Sequence, residues 1–501
     1  MKTLRIILTI SFALTVATLV AQSRHYNSQT LGMGNGGTAF IDGYHANFLN
    51  PANLMINNSG RKPAREIGLF GGLGLQTGGT LLNQSVYDNY LTTGLVIDGT
   101  TREDMLNDWF GTEVTNTRSV DLNMFFVPFG FSNRGKKSAF SIATRVRTLN
   151  TINLNKGFME LAFYGLDSDQ FGAGREINFG LNTLSYAEIS VGYAMELPIP
   201  FTGLIESLPF INGISVYAGV APKYIIGLQS VNLDLNSTLT VDPAGTPNQG
   251  LSHEFDYTVT AFGDIASQLT DYSNARINNP NAKLDDYFNY TGSDIGSLGS
   301  GFGLDLGVTV EVDVSVPALG LLGKRQVLRV SGSITDIGSV TYEDRPAFIT
   351  ANDTFVFDAD AGDDSIGDYF DAIADSLEND VYGGFTSVPA SSQKYELPKM
   401  FNFGAALTLG KLTTTVDYGY AANDVGRNVK GSSLALGLEY RFLNFIPIRA
   451  GSRYGGEATV YSFGTGIDFR FLDLTFGLMA LDDASEGLNV NFAWSGLVFR
   501  F

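Results

Sequence analysis

The chain has 501 residues, with 58 Gly, 15 Pro and no Cys, and is 44% hydrophobic and 12% aromatic. The lack of Cys excludes zinc fingers, iron–sulfur sites and disulfide scaffolds. Asp and Glu number 51 against 32 Lys and Arg, a net charge of −19, which excludes the basic face a nucleic-acid backbone demands and disfavours acidic partners.

Lys2 and Arg5 precede an apolar run over residues 6–20, and the small residue Ala21 follows. These are the three parts of a secretory signal peptide cleaved after Ala21, so residues 1–21 read as an export address. The run is shorter than the ~20 residues of a spanning helix.

Residues 22–60 do not read as a strand pair. Gly32, Gly34 and Gly37 make a formal G-x-G-x-x-G. No βαβ unit surrounds it and the exported chain meets no nucleotide pool, so it is no dinucleotide fingerprint. Closely spaced glycines instead let backbone pack tightly against neighbouring walls. Asn50, Pro51 and Ala52 have the chemistry of a capped helix start. Asp42 is the only acid of the segment.

From residue 61 the pattern alternates with a period of two. Strand-like runs lie near 65–76, 118–129, 137–150, 151–163, 176–184, 185–197, 213–228, 229–240, 253–262, 301–316 and 326–337, with six or seven more after them. Two loops carry short amphipathic helices, on Met105, Leu106, Trp109 and Phe110 and on Leu284, Tyr287 and Phe288. Residues 353–380 hold ten acids and no base. There Ile366, Tyr369, Phe370, Ile373 and Leu377 form the apolar face of a third loop helix, which covers the external mouth or packs on its own loops. A calcium loop at Asp358-Ala359-Asp360 is poorly matched, since Tyr369 occupies the place of the bidentate acid. Three scattered His and no G-x-S-x-G, H-E-x-x-H or P-loop motif predict no enzyme, no metal site and no cofactor.

The last hundred residues are the clearest. Over 459–471, Tyr461, Phe463, Ile467, Phe469 and Phe471 share one face, while Ser462, Gly464, Asp468 and Arg470 share the other. Alternation alone fits a soluble sandwich or a membrane barrel. Strands of about ten residues, short and long connections in turn, and a final strand ending on Phe501 favour the barrel. Tyr440-Arg441-Phe442, Phe469-Arg470-Phe471 and Phe499-Arg500-Phe501 recur at one-hairpin intervals. They place aromatics in a periplasmic girdle and Arg441, Arg470 and Arg500 in a lumenal ring with Glu439, Asp468 and Asp473. The fold expected is all-β, a transmembrane antiparallel β-barrel of about 14 strands within a range of 12 to 18.

Leu31-Gly32-Met33-Gly34, Gly37-Thr38-Ala39, Asp42 and Asn50-Pro51-Ala52-Asn53-Leu54, with Phe501, resemble the long-chain fatty-acid transporter family of outer-membrane barrels. They equally resemble related Bacteroidota barrels that include the type IX secretion shuttle. The resemblance covers about 40 residues and the barrel pattern. It implies a bacterial outer-membrane location and residues 22–60 folded as a plug, or hatch, inside a barrel of residues 61–501.

Two functions fit. In one, the barrel binds or passively takes up small hydrophobic, lipid-like molecules under control of the hatch. In the other it transports nothing and docks a secreted or envelope protein, its long acidic loops or periplasmic mouth serving as the scaffold. Outer-membrane lipid is a partner in both, and nucleic acid in neither. Because Asp42 is the hatch's lone carboxylate, it is expected to pair with Arg441, Arg470 or Arg500. Asp42→Asn is therefore predicted to loosen the hatch and raise small-solute leakage in liposome swelling; unchanged leakage would contradict this.

Overall fold

The computed structural model describes residues 24–58, 64–81, 84–90, 99–164, 171–198, 210–242, 250–278, 284–287, 296–315, 325–358, 386–388, 392–425, 430–455, 458–469, 471–481 and 490–501. The expected signal peptide, the loop-helix face Ile366, Tyr369, Phe370, Ile373 and Leu377, and Arg470 lie outside these residues.

The strands, in chain order, are β1 (Arg65–Gly78), β2 (Thr117–Arg134), β3 (Ser138–Asn155), β4 (Arg175–Glu196), β5 (Ile211–Val241), β6 (Gly250–Phe262), β7 (Gly299–Val314), β8 (Gln326–Tyr342), β9 (Pro346–Asp358), β10 (Thr386–Val388), β11 (Gln393–Glu396), β12 (Met400–Leu409), β13 (Leu412–Ala421), β14 (Gly431–Phe442), β15 (Ile446–Gly455), β16 (Ala458–Asp468), β17 (Leu472–Leu481), β18 (Val490–Trp494) and β19 (Leu497–Arg500). They form a closed antiparallel barrel of 14 staves, in which β18 and β19 together make the last stave and pair with β1. β6, β9 and β10 extend the sheet above the barrel, on the upper half of the 31-residue β5.

Alternation sets the wall. On β14, Leu434, Leu436, Leu438, Tyr440 and Phe442 are 38–48% exposed while Ala435 and Glu439 are buried. An outward apolar face and an inward polar one define an outer-membrane-type barrel. The chain termini of the wall meet at the end where connections such as Gly410-Lys411 are short, which is the periplasmic end by the usual rule. Tyr440, Phe442, Phe471, Phe499 and Phe501 are exposed there as the expected aromatic girdle.

Four expectations are corrected. The runs 176–184 and 185–197 are the single β4, and 213–228 and 229–240 are the single β5. A register shift at Ser185/Tyr186 changes the phase of alternation there, and in sequence a phase change resembles a turn. The run 151–163 is not a strand of its own: residues 151–155 continue β3 and the rest is helical. β3 ends at Asn155, whose side chain accepts the Phe158 N–H at 3.0 Å and starts a helix, Lys156–Tyr164. Residues 353–358, expected to open an acidic loop, belong to β9. The helix on Met105, Leu106, Trp109 and Phe110 is present as Gly99–Phe110, and Leu284–Tyr287 is helical, with Phe288 outside the described residues.

Residues 24–58 lie inside the wall and are buried almost throughout. They run from a short helix, Ser28–Leu31, through 3-10 turns at Gly43–Phe48 and Pro51–Met55. The Asn50 side chain caps the second turn and Pro51 occupies its first position, as the sequence predicts. Wall glycines make room for this backbone. A Cβ at Gly464 would lie 3.1 Å from Gly32 Cα, and one at Gly404 would lie 2.9 Å from Thr38 Cβ. At Gly477 all three nearest atoms belong to the segment: Ser28 O at 2.7 Å, Gly32 N at 3.1 Å and Leu31 Cβ at 3.3 Å. Gly34 (φ +76) must be Gly on conformation as well as space.

Val suits a strand, and at Gly477 the three atoms nearest its Cβ would all belong to the segment. Gly477→Val is therefore predicted to leave heat-modifiable barrel mobility intact and to expose residues 24–58 to proteinase K about tenfold faster. An unchanged cleavage rate would show that the segment does not depend on this contact.

Candidate functional site: the filled lumen

The lumen is filled in layers, starting at the periplasmic end. Arg449, Glu439, Arg441, Asp468 and Arg500 form a chain of alternating charge, with contacts of 2.8, 2.8, 2.7 and 2.6 Å in that order. Arg500 also holds Asp473 at 2.7 Å and Glu66 at 2.9 Å. Five strands besides β19 supply these groups, so the chain ties β1 and β14–β17 to the final strand. The sequence singled out Glu439, Arg441, Asp468, Asp473 and Arg500, and they meet here. Glu66 and Arg449 were not singled out, since neither sits in the repeated aromatic–Arg–aromatic motif.

Across the lumen, Arg134 donates to Ile56 O at 2.7 Å and Arg329 to Asn58 Oδ1 at 2.6 Å, while Arg325 donates to the carbonyls of Asn57 and Asn58. These arginines fasten the exit of the segment and were missed as isolated inward residues. Asp42 accepts the Asn58 N–H at 3.3 Å. The ion pairs of Arg441 and Arg500 run to wall carboxylates.

The middle layer is the segment itself. Asp417 accepts Thr38 N–H at 2.7 Å and pairs with Arg24 at 2.9 Å; Ser28 Oγ meets Thr475 Oγ1 at 2.7 Å; Ser462 accepts Gly34 N–H at 2.8 Å. Asn50 donates to Thr38 O and to Thr309 Oγ1, and Asn53 donates to Thr38 O. Gly37 packs on Thr30 and Leu49, and Ala52 is fully buried beside Gly219.

One wall defect faces this layer. β1 shifts register between Leu69 and Gly72, β2 between Phe126 and Gly130, and the last stave breaks at Ser495 and Gly496. The three interruptions are adjacent, since Leu69 lies opposite both Phe129 and Leu497. Tyr44 donates to the Gly71 carbonyl at 2.7 Å and His45 Nε2 lies 3.0 Å from it. A carbonyl only accepts, so His45 carries its proton on Nε2 and its Nδ1 accepts from His25 Nε2 at 3.2 Å. Two of the three His that look scattered in sequence thus touch.

Above the segment, Arg145 pairs with Glu188 at 2.7 Å, Arg147 with Asp336 at 2.8 Å and Lys223 with Asp305 at 2.9 Å, and all six are buried. Phe48 lies against Arg145, with the guanidinium 4.2 Å from its ring centre. Over these charges Leu149, Leu184, Tyr186, Ile225, Phe262 and Tyr342 pack as an apolar cap. Two cavities in this packing measure about 30 and 20 Å3, room for about two waters and one. No group of three metal-binding side chains occurs among the described residues.

Residues 65–480 match the family described as "Family of unknown function (DUF5723)". The chain belongs to this family. Comparison with curated proteins gives no match. Among solved structures the chain is similar to a deletion mutant of the TodX monoaromatic hydrocarbon channel at 12% identity, TM-score 0.43, over 95% of this chain and 99% of that one. The Ralstonia pickettii toluene transporter TbuX gives 12%, 0.39, 95% and 99%, and the translocator domain of the autotransporter NalP from Neisseria meningitidis 10%, 0.29, 88% and 89%.

Burial holds His25 well below its ordinary value, helped by the charge of Arg145, and lowers His45 to about 4. Both are neutral when the segment is seated and would take protons near pH 6.5 if it were released. Seating is fully favoured above that pH and weakens as pH falls from about 6.5 towards 4. Bilayer conductance is therefore predicted to rise between pH 7 and about pH 4.5, with His45→Gln flattening the response; a flat wild-type profile would contradict this.

Proposed function

We propose that this protein is a bacterial outer-membrane barrel, exported through a cleaved signal peptide, that binds or passively takes up small hydrophobic molecules. In this reading residues 22–60 are the hatch and the structure is the closed state. The observation that carries it is the pairing of the hatch with the three-strand interruption. The axial route crosses the buried charges around Asp336 and the ring around Arg500, where a lipophilic molecule would strip ionic partners at a cost of several kcal/mol. A sideways route past Gly71 instead meets Leu69, Phe70, Phe129 and Leu497, all exposed on the lipid side. Tyr44 and His45 hold that carbonyl only while the hatch is seated, so displacing the hatch frees the wall where an apolar molecule would leave.

One observation favours docking instead. Among the described residues the lumen is polar and closely packed, and the two cavities beside Arg24 and Arg500 have room for only one or two waters. A barrel that never opens would serve as a scaffold for a secreted or envelope protein.

Native mass spectrometry with lipid extraction separates the two readings. Uptake predicts about one lipidic molecule per chain after purification from the native membrane, lost from Tyr44→Ala, together with raised swelling of liposomes bearing that variant. A wild-type barrel that carries no lipid, with Tyr44→Ala as tight as wild type, would remove the uptake reading; a co-purifying protein would then support docking.

A further inference from the structure

The larger cavity, beside Arg24, lies between the N-terminal segment and the charged layer. Arg24, His25, Gln76, Asn123, Arg145 and Arg147 line it, and among the described residues no carboxylate does. The carboxylates that pair with its three guanidinium groups, Asp417, Glu188 and Asp336, are not among the lining residues. Several buried polar atoms of the lining have no partner among the described residues: Arg24 Nε, His25 Nδ1, and both amide atoms of Asn123. Arg24, His25 and Asn123 are 5%, 6% and 6% exposed. Buried polar groups are rarely left unpaired, and each costs about 1–3 kcal/mol when it is.

We infer that this cavity is a binding site for one compact monoanion, of chloride or carboxylate-group size, accompanied by one water. The volume of about 30 Å3 gives room for about two water-sized occupants. The N–H of Arg24 Nε and the Asn123 amide N–H donate to the anion, one of these bonds charge-assisted, within the field of three guanidinium groups. His25 Nδ1 is a bare acceptor by the tautomer set through His45 and Gly71, so it accepts a hydrogen bond from the water, as does the Asn123 carbonyl. Arg24 also pairs with Asp417, which accepts the Thr38 N–H, so the anion adds one more tie between the segment and the wall. This holds whether or not the lumen conducts.

The test follows the thermal midpoint of the full-length barrel in detergent, read by heat-modifiable mobility at constant ionic strength. Sodium gluconate, whose anion is too large for the cavity, is replaced stepwise by sodium chloride, bromide or acetate. The midpoint is expected to rise saturably by about 3 °C or more, as for a ligand that binds only the folded state. A rise with the halides alone identifies an inorganic anion, and an equal rise with acetate identifies a carboxylate group. Asn123→Leu fills the cavity and removes a donor; it should abolish the rise. Asn123→Asp, which places a carboxylate in the same spot, should raise the gluconate midpoint and make it indifferent to halide. Equal midpoints in all four salts, or a saturable rise retained in Asn123→Leu, would overturn the assignment.

Discussion

A cylinder of 14 strands encloses more space than its own inward side chains can fill. Water, a ligand or another piece of chain has to occupy the rest, and here residues 24–58 do. That choice dictates much of the wall. Strands that would otherwise carry bulky inward residues carry Gly404, Gly464 and Gly477, because backbone rather than side chain meets them. Inward polar residues such as Ser462, Thr475 and Asp417 sit where the segment's own N–H and hydroxyl groups need partners, which is how a non-repetitive chain is kept at membrane depth.

The buried charges have the same logic. The lumen carries a periplasmic chain of alternating Arg and carboxylate and a second group around Asp336. Ion pairs of this kind return little net stability, because each partner gives up its hydration, but removing one partner is severe. Their effect is to fix position. Arg500 holds carboxylates from β1, β16 and β17 at once, so the last strand has only one register in which all three are satisfied.

The wall was largely legible in the sequence because an outer-membrane barrel writes its two faces into alternate residues. The repeated Tyr440-Arg441-Phe442 and Phe499-Arg500-Phe501 motifs located most of the charge chain for the same reason. Legibility failed where alternation changed phase, at the shift that joins the two halves of β5, and where one residue switched period, at Asn155. It failed also for Arg134, Arg325 and Arg329, which bond to a segment far away in sequence and so leave no local pattern. The segment's capped turn at Asn50 and its glycines were readable; its meeting of His25 with His45 was not, since twenty intervening residues fold back to create it.

The first and last strands close the cylinder on one another, Glu66 opposite Arg500 and Leu73 opposite Trp494. Residues 24–58 immediately precede the first strand and are ringed by strands as distant as β17. Once that seam has zipped, a chain threaded with buried Asn, His and Arg has no side gap through which to enter and reaches the interior only by way of the barrel's ends. A segment laid down while the sheet is still an open trough avoids that passage, since it shares its end of the chain with the first strand of the seam.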